Sequence, residues 1–163
     1  MKFGIGIPTC RQGIRYPLPF AGPTEIVEVT KLAEHLGFDS VWASDLMTPT
    51  PSMRIPDGEG HPNWYESLTT MSYLSGVTKS IELGIGVIQI PLREPILLAK
   101  QIATVDQFCN GRLLIGVGLG GFRDEYEAMF PKMRKAHRGK ILDESLEAIS
   151  LLLSEGSAPV NFQ

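Results

Sequence analysis

The chain has 163 residues, of which 43% are hydrophobic and 20% charged, and its formal net charge is −3. That length buries a real core in one domain, and the mild acidity offers nothing to nucleic acid or to an anionic membrane. No apolar stretch spans a bilayer, and the opening run MKFGIGIPT is too short for a signal peptide, so a cytoplasmic protein is expected.

Residues 3–7 alternate with glycine and end at Pro8, which predicts a buried strand with close backbone contacts. Residues 9–23 are rich in Pro, Gly and Arg and read as a loop. Pro23 opens a helix whose apolar face is Ile26, Val29, Ala33 and Leu36, and Gly37 stops it. Residues 40–43 are a second strand, with Ser44-Asp45 at its C-terminal end. Residues 46–63 form a long proline-rich loop, of the kind that serves as a lid or binding loop. Residues 64–77 predict a helix, 81–90 a strand interrupted by Gly84 and Gly86 and ended by Pro91, and 95–109 a helix burying Leu98, Ile102 and Val105.

Asn110-Gly111 is a helix stop, since both residues tolerate the left-handed conformation. Leu113-Leu114-Ile115 predicts a strand buried on both faces. It breaks into the run 116–121, where glycine lets a ligand touch the backbone. Asp124-Glu125 opens a short helix to Phe130, with acid at the positive end of the dipole. A basic irregular segment follows to Gly139, then a helix over 140–153 with Leu142, Leu146, Ile149 and Leu153 in register. Gly156 and Pro159 stop it, and Val160-Asn161-Phe162 begins one more strand. Strand and helix thus alternate four times, which predicts right-handed crossovers and a parallel sheet: half of an eight-fold barrel or a small open sheet. Cys10 and Cys109 sit in no metal or redox spacing, no cluster has metal-ligand spacing, and no Ser-His-Asp arrangement is visible. His35, His61 and His137 read as surface residues.

Three stretches, LAEHLGFDSVWASD (32–45), IELGIGVIQIPLREPILLAKQIATVDQFCNGRLLIGVGLGGFRDEYEAM (81–129) and RGKILDESLEAISLLLSEG (138–156), resemble the luciferase-like monooxygenases. The resemblance implies a (β/α)8 TIM-barrel oxidoreductase that uses reduced FMN or an 8-hydroxy-5-deazaflavin on a small organic substrate, by oxygen activation or hydride transfer. It implies that residues 1–163 are the first four βα units, a half barrel ending before strand five. A flavin reductase and a second copy of the chain are the implied protein partners. The rival reading is a non-catalytic flavin-binding or dimerising fragment of that family.

The resemblance also assigns residues. Asp45 is the catalytic candidate, with a loop-capping carboxylate as the alternative, in a family position often reading Ser-Asp-His; here Leu46 replaces the histidine and has no proton to transfer. Gly86-Val87 matches a bulge, cis in several members, that supports the flavin ring. Gly118, Leu119 and Gly120 close the fourth strand as cofactor-binding residues, but Leu119 stands where the luciferases use an arginine on the phosphate. Arg123 is expected to reach solvent or to pair with Glu127, and Trp64 and Tyr65 to pack in the core or to wall a pocket. For dimerisation the expected patch is Leu68, Met71 and Leu74 with small Thr69, Ser72, Ser75 and Gly76, beside Leu97, Ala99, Ile102 and Ala103.

Overall fold

Four strands pair in parallel and in chain order: β1 (Gly4–Gly6), β2 (Ser40–Ala43), β3 (Glu82–Gln89) and β4 (Leu113–Gly118). The computed structural model describes residues 1–9, 21–48 and 64–154. Between and after the strands come α1 (Pro23–His35), α2 (Ser67–Ser75), α3 (Pro95–Phe108), α4 (Arg123–Met129) and α5 (Arg138–Leu153). Cys10, His61, the helix stop at Gly156 and Pro159, and the strand expected at 160–162 lie outside the described residues, as does most of the two long loops.

The pleat decides where the core sits. Alternate strand residues point to opposite faces. Val41, Ala43, Leu83, Ile85 and Ile88 are at most 2% exposed and form one cluster with Ile26 and Ala33 of α1, Leu68, Met71 and Leu74 of α2, Leu98 and Val105 of α3, and Ile149 of α5. All the long helices therefore cover one face. A doubly wound sheet reverses its strand order and is covered on both faces; among the described residues this sheet does neither.

The edge strands differ from expectation. β1 and β4 are not buried on both faces: Gly4 and Gly6 are exposed, and Leu113, Leu114 and Ile115 are half-buried. Among the described residues each has a neighbour on one side only, so apolar composition alone does not bury them. The helix expected from Trp64 starts at Ser67, because Glu66 caps it, accepting the N–H groups of Leu68 (3.3 Å) and Thr69 (2.7 Å). Leu68, Met71 and Leu74 are spent in the core, so they cannot supply the apolar area of the expected pairing patch.

Helix stops and staples hold the N-terminal end of the sheet. Asn110 and Gly111 both take positive φ, 54° and 74°, and Gly111 N–H reaches back to the Asp106 carbonyl at 2.9 Å. Arg112 donates to the carbonyls of Cys109 and Ile81, each at 2.7 Å, and to Thr78 Oγ1 at 3.0 Å, tying the approach to β4 onto the approach to β3. Glu34 Oε1 accepts from the N–H groups of Lys79, Ser80 and Ile81 at 2.8, 2.7 and 3.0 Å. Burial opposes its ionisation, but these donors and the Ser80 hydroxyl outweigh it and lower its pKa from 4.5 to about 2.

Because the folded pKa is depressed, the stabilisation from Glu34 is complete above the unfolded value of 4.5 and is lost as pH falls from there to about 2. Glu34→Ala is expected to remove that part of the acid limb and to cost on the order of 1 kcal/mol at neutral pH, discounted for partial solvent exposure. Urea denaturation at pH 7 and at pH 3 checks it: the gap between the two proteins must shrink at the lower pH.

Candidate functional site

The face opposite the helices is built around Trp42. Its position pairs with Gly6 on β1 and with Gly84 on β3. A Cβ on Gly84 would stand 2.5 Å from the indole, one on Gly4 2.6 Å, and one on Gly86 3.3 Å. The ring therefore lies flat across neighbouring strands, and its N–H donates to Ser40 Oγ at 2.9 Å. Further along, β3 carries a bulge between Ile85 and Ile88, and the Gly86-Val87 peptide bond is cis. Val87 projects over β4, where a Cβ on Gly118 would meet its Cγ2 at 2.6 Å and one on Gly116 would meet its Cγ1 at 3.4 Å. Gly120 follows with φ of +84°, and a side chain there would collide with the Gln89 amide oxygen. The result is a smooth wall with few projecting side chains, ending in the glycine turn after β4.

A buried ionic knot sits at the C-terminal ends of the strands. Arg93 clasps Asp45 with two parallel bonds, Nη1 to Oδ2 at 2.7 Å and Nη2 to Oδ1 at 2.9 Å. The Asp45 side chain is 0% exposed and that of Arg93 is 8% exposed. Ser67 Oγ donates to Oδ1 and the Gln89 N–H to Oδ2, each at 2.9 Å. Arg93 also reaches Glu66 at 3.0 Å, so the knot joins the ends of β2 and β3 to the start of α2. Burial alone would lower the Arg93 pKa, but its bonds to Asp45 and Glu66 and their charges hold it above the ordinary value.

Beside the knot lies Glu125, fully buried on α4. Its Oε1 accepts from the N–H groups of Met47 at 2.6 Å and Thr48 at 3.2 Å, and from the Gln89 amide at 3.5 Å. Burial pushes its pKa up, partly offset by those donors, and the Asp45 charge pushes the same way as burial. Ser44 Oγ, Gln89 Oε1, Glu125 Oε2 and the Tyr126 hydroxyl are buried without a hydrogen-bond partner.

The sequence candidates fare unequally. Asp45 stands at the strand end as expected, and both its oxygens are occupied by donors from Arg93, Ser67 and the Gln89 backbone. Gly86-Val87 forms the expected bulge and cis bond. Gly118, Leu119 and Gly120 do close β4; Leu119 is 41% exposed and brings no charge. The Arg123–Glu127 pair forms at 2.9 Å, and Trp64 donates its indole N–H to the Ser44 carbonyl at 3.3 Å. Glu125 was expected to serve the α4 dipole and instead turns inward to the β2 end. Sequence reasoning missed Arg93, Glu66 and Gln89, whose partners are distant in the chain. It also missed the role of Trp42, although glycine at matching positions on both flanking strands was a visible signal.

The fold is thus a parallel α/β sheet that gathers polar groups and a glycine-lined wall at its C-terminal strand ends. The chain belongs to the luciferase-like monooxygenase family, whose sequence pattern matches residues 1–163. It is 31% identical over 134 residues to the oxygenase component of a flavin-dependent trigonelline monooxygenase from Acinetobacter baylyi, covering 78% of this chain and 33% of that protein. It is 36% identical over 100 residues to an F420-dependent glucose-6-phosphate dehydrogenase from Amycolatopsis mediterranei, covering 61% and 28%. The monooxygenase RslO1 from Streptomyces bottropensis superposes with a TM-score of 0.76 at 23% identity, over 100% of this chain and 46% of that one. The chain thus spans less than half the length of each of these relatives. Among the described residues no helix is long and apolar enough to cross a membrane.

Two substitutions test the site as built. Asp45→Ala leaves Arg93 buried without its main partner and is expected to cost about 3–5 kcal/mol in urea denaturation; a loss under about 1 kcal/mol would mean the pair is not structural. Gly84→Ala places a methyl group against the Trp42 ring, so the indole must leave the sheet. Tryptophan emission should shift to the red, and an unchanged spectrum with unchanged stability would contradict the flat seating of the ring.

Proposed function

We propose that this chain forms the cofactor-facing wall of an oxidoreductase that works on a small organic molecule with reduced FMN or an 8-hydroxy-5-deazaflavin. The observation that carries the reading is the smooth wall: Trp42 laid over Gly84 and Gly86, and Val87 laid over Gly116 and Gly118. A planar ring system needs such a surface, free of projecting side chains and screened from water on one side. The relatives named above as flavin-dependent and F420-dependent support the same cofactor class. In this reading the chain is the first half of a (β/α)8 barrel.

The cofactor supplies the electrons or hydride, and the protein supplies shape and orientation. Gly86-Val87 backs the ring, and Gly118, Leu119 and Gly120 form the rim of its seat. Asp45 acts through Arg93: it positions the β2 and β3 ends, and Leu46 beside it has no proton to give. Where FMN is the cofactor, a separate flavin reductase is the partner that delivers it reduced, in keeping with the relative described as an oxygenase component.

Titration with FMN and with a deazaflavin, followed by tryptophan quenching, tests the proposal. Quenching by at least one of them is expected, because Trp42 lies in the wall. The dissociation constant should lie above micromolar, since Leu119 offers the phosphate no charge. No quenching at millimolar ligand would remove the cofactor reading, and a sub-micromolar constant would contradict the uncharged rim.

A further inference from the structure

Glu125 is used by nothing in the reading above, yet it is one of the most deeply buried carboxylates of the described residues. It lies on α4, just past the glycine turn that follows β4. The backbone it grips lies just past the end of β2: the N–H groups of Met47 at 2.6 Å and Thr48 at 3.2 Å. These elements are not neighbours in the sheet, because β3 runs between β2 and β4. The Gln89 side chain, at the end of β3, completes the bridge: its amide nitrogen donates to the Asp45 carbonyl at 3.1 Å and to Glu125 Oε1 at 3.5 Å.

We infer that Glu125 is a positioning residue that locks the segment after β2 and the glycine turn after β4 into one rigid rim across the end of β3. A carboxylate suits the task, because one oxygen accepts from two successive backbone N–H groups and from an amide at once. Burial removes competing water, so the bonds hold firmly. Among the described residues, the charged and polar groups that bear on it are Asp45, Gln89 and the backbone of residues 47–48. The inference concerns the rim's rigidity. Only its consequence for ligand affinity rests on the flavin reading.

Amide hydrogen exchange by NMR, on the whole chain, decides it. Glu125→Ala is expected to speed exchange at Met47 and Thr48 by about tenfold or more, while Leu83 and Ile85 in β3 keep their protection. Glu125→Gln keeps an acceptor oxygen in place and should restore protection at residues 47 and 48. Unchanged exchange in the alanine variant, equal damage by both substitutions, or a uniform loss across β3 and β4 would each overturn the inference. FMN titration of the same variants adds a separate readout. The alanine variant should bind several-fold more weakly and the glutamine variant close to the parent. If the parent itself binds no flavin, the cofactor reading fails while the exchange experiment still decides the role of Glu125.

Discussion

The clasp of Arg93 on Asp45 is the constraint on which the C-terminal end of the sheet depends. Removing two charges from water costs several kcal/mol per ion, and only close geometry with every lone pair satisfied offsets that cost. Here the carboxylate has four donors: two from Arg93, one from Ser67 and one from the Gln89 backbone. The donors come from the β3 exit (Gln89 and Arg93) and from the start of α2 (Ser67), so the carboxylate at the end of β2 is satisfied only when all three segments are in place. The energy of the pair is therefore less informative than its requirements. It admits one arrangement of three segments and rejects the others.

The wall follows from a different trade. Glycine weakens a strand, since it adds flexibility and buries no side chain. The sheet accepts that weakness on the face away from the helices, and the opposite face compensates with Val41, Leu83, Ile85 and Ile88, each fully buried. Trp42 and Val87 then occupy the space the glycines leave. One face is packed for stability and the other left flat, and the alternation of the strand allows both in the same residues' neighbourhood.

The two ends of the sheet are secured by different means. At the N-terminal end, Glu34 and Arg112 collect backbone groups from the turn before β3, one accepting and the other donating. At the C-terminal end, Asp45, Glu125 and Gln89 do the equivalent with side chains that are almost wholly removed from solvent. Stability at the first end is lost in acid as Glu34 takes up its proton. The second end places buried charge beside the wall.

The strand–helix alternation, the helix stops at Gly37 and Asn110-Gly111, and the sites of β2, β3 and β4 were legible in the sequence. They depend on local causes: side-chain periodicity, proline at helix starts, and residues that tolerate positive φ. The bulge at Gly86-Val87 and the glycine rim after β4 came through family resemblance, which carries tertiary information that periodicity lacks. What the sequence left open was decided by contacts between residues 27 to 78 positions apart, such as Arg93 with Glu66 or Asp45, and Glu125 with Met47. No local pattern marks such pairs. A carboxylate at a strand end looks the same whether or not it holds an arginine, and an acid in a first helical turn looks the same whether it faces solvent or the core. Only the packed structure, by removing water from around them and bringing their partners within bonding distance, distinguished the two.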